Sequence, residues 1–181
     1  MDRLLRAAVL TRLIQELRDA GSWCGETHVQ KAAFFLQELM RVPLGLDFIL
    51  YKHGPFSFDL RDELTGLRAD GLVSLEPHWP YGPRIAPTER TDYIQQVFKR
   101  TLGKYRGAVS FVAEKLGGKD VSELECLATA FYVTERSEPR AEVSRRAEEL
   151  SKLKPHIPRG VALKAVETVD RISKEVQERE I

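Results

Sequence analysis

Two glycines, Gly54 and Gly71, bracket the segment GPFSFDLRDELTGLRADG and fix most of what this chain can become. Gly54 permits a backbone angle that other residues resist, and Pro55 locks the next one, so the chain must turn a tight corner there. Ser57 or Asp59 then supplies the side-chain oxygen that caps a helix start. Leu60, Leu64 and Leu67 recur at helical spacing and mark its buried side. Gly71 stands where a helix ends in the left-handed conformation. Beyond it, LVSLEP and RIAPT flank the turn-rich HWPYG, which predicts a β-hairpin with strands near 72–76 and 83–87 and a loop longer than the commonest types.

Upstream, Leu10, Leu13, Ile14 and Leu17 fall at i, i+3, i+4 and i+7, predicting a helix over about residues 2–19. Thr27 and Gln30 have the spacing of a capping box, and the following helix carries Val29, Ala32, Ala33, Leu36, Leu39 and Met40 on one face. The alternation from Leu46 to Tyr51 predicts a short strand. Helix, helix, strand, helix and hairpin in that order make a winged-helix-like unit over 1–88. Residues 89–181 read as helices: one over about 89–116 with a break near Gly103 or Gly107, and one opened by a Ser122/Glu125 capping box. A polar, mostly solvated helix follows over 139–153, and then, past Pro155 and Pro158, a helix bearing Val166, Val169, Ile172 and Val176. The predicted fold is mainly α: a winged-helix-like N-terminal unit with a small β-hairpin, packed against a C-terminal helical bundle as one continuous domain.

Lysine and arginine total 28 against 27 acidic residues, and each half of the chain balances to within one charge. Such neutrality removes the nonspecific attraction on which DNA binders usually rely, unless a local patch restores it. The first 21 residues are apolar on one face only and carry Arg3, Arg6, Arg12, Glu16 and Arg18, so no signal peptide or membrane span is expected and the expected compartment is the cytoplasm. Cys24 and Cys126 lack CxxC spacing and are expected to stay as free thiols. His28, His53, His78 and His156 are scattered, and neither HExxH nor a phosphate-binding glycine loop is present. The residues thus point to no catalytic group, no metal and no cofactor.

From THVQKAAFFLQ through DFILYKHGPFSFDLRDELTGLRADGLVSL the chain resembles the YwgA-like proteins and the larger SocA/Panacea domain. The resemblance rests on Gln30, Lys31, Phe34, Phe35, Gln37, Tyr51, Gly54, Pro55, Ser57, Leu64, Leu67, Gly71, Leu72 and Val73. LECLATAFYV and LSKLKPHIPRGVALKAVETVDRI also look like the C-terminal half of YwgA-like proteins. The resemblance implies an antitoxin- or adaptor-like role with a protein partner, a toxin or other neighbouring gene product, and it carries no catalytic residues.

Two surfaces stand out. Tyr51, His53, Gly54, Pro55 and Ser57 form either a partner-facing corner or simply a strand-to-helix turn. Trp79 and Tyr81, among prolines at the hairpin tip, either anchor a partner or fold back over the hairpin. The segment Ser57–Asp70, which would read DNA in a winged helix, turns outward Asp59, Arg61, Asp62, Glu63, Thr65, Arg68 and Asp70, an acidic excess that repels phosphates. The leading expectation is a non-enzymatic protein-interaction module. The alternative is a DNA-binding transcriptional regulator using Arg61, Arg68 and Arg84, helped by the basic run Lys99, Arg100, Lys104 and Arg106.

Overall fold

The computed structural model describes residues 1–138 and 141–179. The fold is mainly α, with eight helices and two small antiparallel sheets among these residues. Helices α1 (Arg3–Asp19) and α2 (Glu26–Glu38) lead into strands β1 (Ile49–Tyr51) and β2 (Gly54–Phe56). Helix α3 (Phe58–Ala69) and the hairpin of β3 (Val73–His78) and β4 (Tyr81–Pro87) follow. Helices α4 (Glu89–Val97), α5 (Lys99–Leu116), α6 (Val121–Arg136), α7 (Val143–Leu153) and α8 (Arg159–Arg179) complete the chain.

Local chemistry sets α3 as its sequence demands. Ser57 Oγ accepts from the amide of Leu60 at 3.2 Å. At the far end Gly71 takes a φ of +68°, and the Leu72 amide donates back to the Leu67 carbonyl. Leu60, Leu64 and Leu67 are buried.

Helices α2 and α6 lie at the centre and are buried almost all round. On α2 an unbroken run from His28 to Leu36 is inaccessible, and on α6 a run from Leu124 to Phe131. Phe34 and Phe35 of α2 meet Phe131 of α6 with ring centroids 5.4 and 4.9 Å apart. Helices α1 and α5 pack beside them, as do α7 and α8, and buried side chains from all six belong to one core. Each fully buried Leu, Ile or Phe contributes about 1.5–3 kcal/mol.

Several local expectations are corrected. The Thr27/Gln30 box does not form: Gly25 is the N-cap of α2 and makes no side-chain cap bond. Gln30 is buried instead, where its amide donates to the Ser57 carbonyl and accepts from the Ser57 amide, both at 2.9 Å. The Ser122/Glu125 box is displaced by Asp120 and Glu123, which cap α6 reciprocally. The long helix predicted over 89–116 breaks at Phe98, which caps both α4 and α5, and not at Gly103 or Gly107. The hairpin runs further than predicted: His78 pairs with Tyr81, leaving a two-residue turn. Helix α7 turns Arg146, Ala147 and Leu150 inward, and Arg146 grips Asp170 of α8 through two 2.7 Å bonds, so it is less solvated than its polarity suggests. Residues 139 and 140 of the helix expected there lie outside the described residues.

Candidate functional site

Three neighbouring features gather the candidate residues: the corner at Gly54, the hairpin tip, and a groove running along α3.

The corner is a tight hairpin in which Tyr51 pairs with Gly54 across Lys52 and His53. It is held from below by charge. Lys31, on α2, is 1% exposed and donates from Nζ to the Pro55 carbonyl at 2.9 Å. Lys154, just past α7, donates to the carbonyls of Tyr51, at 2.7 Å, and Lys52. Glu125 of α6, 7% exposed, faces both lysines, and its Oε1 is 3.3 Å from Lys154 Nζ. At the rim, His156 Nε2 stands 3.4 Å from Oε1 and His53 Nδ1 stands 3.5 Å from Oε2. Two buried ammonium groups and one buried carboxylate therefore bind the turn to three separate helical elements. Burial drives the Lys31 pKa down to about 8; Glu125 opposes that shift and Lys154 adds to it. An amine so enclosed and already hydrogen-bonded is built as a tie to the corner and has no access to a substrate.

Gly54 sits at φ +83°, and a Cβ there would come 2.9 Å from Thr129 Oγ1. Gly54→Ala is therefore expected to destabilise the protein by about 1–3 kcal/mol through backbone strain and the close contact. Urea denaturation measures it; an unchanged midpoint would show that the corner is not tightly held. Pro55 and Ser57 are buried by the same packing, whereas Tyr51 and His53 face outward. Tyr51, Phe56 and Phe58 form an aromatic cluster with centroids 5.1–5.8 Å apart, and Tyr51 and Phe58 remain substantially exposed.

At the hairpin tip Trp79 is 93% exposed. Tyr81 is also exposed, but its ring meets the edge of Trp23 at 5.3 Å, and His78 meets the same indole at 4.8 Å. The two readings of the tip thus divide: Trp79 projects, while Tyr81 leans on the segment between α1 and α2.

The charges of α3 are sorted by side. Arg6 binds Glu63 at 2.6 Å and the Leu44 carbonyl at 2.9 Å, and Arg3 binds Asp70, so α1 takes up two of the four acids. Arg61 and Arg68 instead line a groove of about 410 Å³ between α3, the β3–β4 hairpin and the first turn of α2. Arg61 also lies 5.0 Å from the centroid of Phe58. Arg84 stacks over Trp23 at 5.3 Å and donates to its carbonyl, so it is committed locally. The basic run Lys99–Arg106 lies apart on α5; Lys99 and Arg106 line a second concavity with Arg12 of α1.

Sequence reasoning missed Gln30, Lys31, Glu125 and Lys154 as one assembly. The signal available for Gln30, Lys31 and Glu125 was the near-continuous apolar run beside them, AAFFL and LECLATAF; Lys154, in LSKLKPHIP, carried none. Both cysteines are free and buried, and burial pushes the Cys24 thiol up to about 12. Among the described residues no group of three His, Cys, Asp or Glu side chains could hold a metal ion, and no helix is long and apolar enough to cross a membrane. A scan against protein-family models finds no match, and a search of curated proteins finds none either.

Proposed function

We propose that this chain is a non-enzymatic protein-interaction module, antitoxin- or adaptor-like, acting in the cytoplasm on a protein partner such as a toxin or other neighbouring gene product. The observation that carries this reading is Trp79, almost wholly exposed on the two-residue turn of the hairpin whose strands also line an arginine-edged apolar groove. A large aromatic held in water on a short turn costs little further ordering when a partner covers it, which is how interface anchors work. The resemblance to the SocA/Panacea and YwgA-like proteins supports the same class of role.

A DNA-binding regulator is the second reading. It is favoured by one observation: Glu63 and Asp70 are neutralised by Arg6 and Arg3, which reduces the acidic excess on α3. Against it, Asp59 and Asp62 stay exposed, and Arg84 is engaged with Trp23.

Affinity purification of the tagged chain from its native cells, with and without nuclease, separates the two. A protein partner that survives nuclease is expected. Trp79→Ala is expected to weaken its capture by roughly thirtyfold, as for an interface anchor worth about 2 kcal/mol, while stability shifts by no more than about 0.5 kcal/mol. A partner lost on nuclease treatment, together with tight salt-dependent binding of random duplex by the purified chain, would favour the DNA-binding regulator.

A further inference from the structure

Resting on that reading, we propose that the groove between α3, the hairpin and the first turn of α2 is a binding site for an acidic peptide segment of the partner, whose carboxylate is held by Arg61, Arg68 and the uncapped amides of α2. At about 410 Å³ the groove is large enough for a few side chains. Leu64, Val73 and Ile85 supply apolar lining continuous with the core, and Leu75 is an exposed apolar edge. Such a lining suits the aliphatic side chains of a peptide, which a sugar-phosphate backbone lacks.

The charge in the groove is unbalanced. Besides its stacking on Phe58, Arg61 has one ion-pair partner among the described residues, its exposed neighbour Asp62 at 3.8 Å. Arg68 has no ion-pair partner among the described residues. Glu26 is the one acidic residue in the lining itself, with Asp62 outside it on the exposed side of Arg61. The first turn of α2 lies in the groove with Gly25 as its N-cap and no side chain bonded to its free amides. Those amides carry the positive end of a thirteen-residue helix.

A second observation points the same way. His28, 4% exposed and part of the groove lining, has a buried Nδ1 with no hydrogen-bond partner. Burial holds its pKa below the ordinary histidine range, against the opposing pull of Asp120, so at neutral pH the ring is uncharged. An imidazole buried without its polar bonds is costly in a purely structural wall. Of the groove-lining side chains, His28 alone holds a buried polar atom without a partner among the described residues, and a ligand that turns the ring outward would supply one. Arginine forks and helix amides both match a carboxylate, and a guanidinium pairs with it through two parallel bonds.

Selection of random twelve-residue peptides displayed on phage against the full chain tests this directly. Enriched sequences are expected to carry Asp, Glu or a free terminal carboxylate next to Leu, Ile or Val. A fluorescein-labelled consensus peptide, read by anisotropy, should bind the intact chain and lose roughly tenfold affinity on Arg68→Glu and again on Arg61→Glu. Its Asp/Glu→Asn/Gln counterpart should bind as weakly as the double variant does. Both arginines are exposed, so unchanged thermal melts exclude unfolding as the cause. Enrichment without acidic bias, or an acidic peptide indifferent to both substitutions, would overturn the proposal. So would a twelve-nucleotide single strand that competes the peptide off at physiological salt. A native partner lost on Trp79→Ala but kept on Arg61→Glu with Arg68→Glu sinks the groove and leaves the interaction module standing. Peptide binding with no protein captured from cells sinks the interaction module and leaves the groove.

Discussion

Glu125→Leu is expected to destabilise the protein by about 3–5 kcal/mol, the range seen when one partner of a buried ion pair is removed. The substitution leaves Lys31 and Lys154 buried under the corner with no carboxylate between them. Against a total stability of about 5–15 kcal/mol, that is a large share. Urea denaturation should show the midpoint falling steeply. Adding Lys31→Met and Lys154→Met to the same chain should recover part of the loss, because the uncompensated charge is then gone and only the bonds to Pro55, Tyr51 and Lys52 are missing. A single variant within about 1 kcal/mol of the parent would mean that water reaches the cluster and screens it. A triple variant less stable than the single one would mean that the lysine-to-carbonyl bonds outweigh the charge balance.

The second large effect is alkaline stabilisation. Lys31 titrates at about 8 in the folded chain against an ordinary 10.5, so between those values the unfolded chain holds the extra proton. Stability then rises with pH through that window, by roughly 1.4 kcal/mol per pH unit and about 3 kcal/mol in all. Below pH 8 the folded protein bears the whole cost of the buried ammonium. Other lysines and tyrosines titrate in the same range, so the quantity to read is the difference between the parent and Lys31→Met. Denaturation of both at pH 7.5 and pH 10.5 should show the parent gaining on the variant as pH rises. Parallel curves would show that the Lys31 amine keeps its ordinary proton affinity.

The parts of this fold legible in the sequence are those fixed by neighbours along the chain. Ser57 caps Leu60 three residues on, Gly71 closes the helix it follows, and the stripe of Leu60, Leu64 and Leu67 is a local period. The parts that were not legible are set by distant partners. Gln30 has the spacing of a cap residue, yet its amide is spent on the backbone of Ser57. Glu125 has the same spacing relative to Ser122, yet it neutralises lysines from α2 and from the end of α7. Amphipathic reasoning sends a polar residue on a helix outward. That rule fails where a helix is covered on every side, as α2 and α6 are. The charge of α3 misled in a similar way: counting acids against bases along the helix ignores Arg3 and Arg6, which come from α1 and leave the two groove arginines unopposed by them.

The clamp on the corner also orders events during synthesis. Lys154 reaches the Tyr51 carbonyl across 103 positions of sequence, and Glu125 must be in place before Lys31 can be buried without a surplus charge. A nascent chain ending near residue 88 contains the residues of the Gly54 turn and the hairpin, but it lacks the carboxylate and the second ammonium that hold the turn down. Segments that pair only with late-emerging partners stay exposed on the ribosome, where unburied apolar surface invites aggregation. The corner within the first 88 residues accordingly draws on Glu125 and Lys154 for its hold. The last polar contacts of the corner are supplied by Glu125 and Lys154, so it is completed only once residue 154 has left the ribosome.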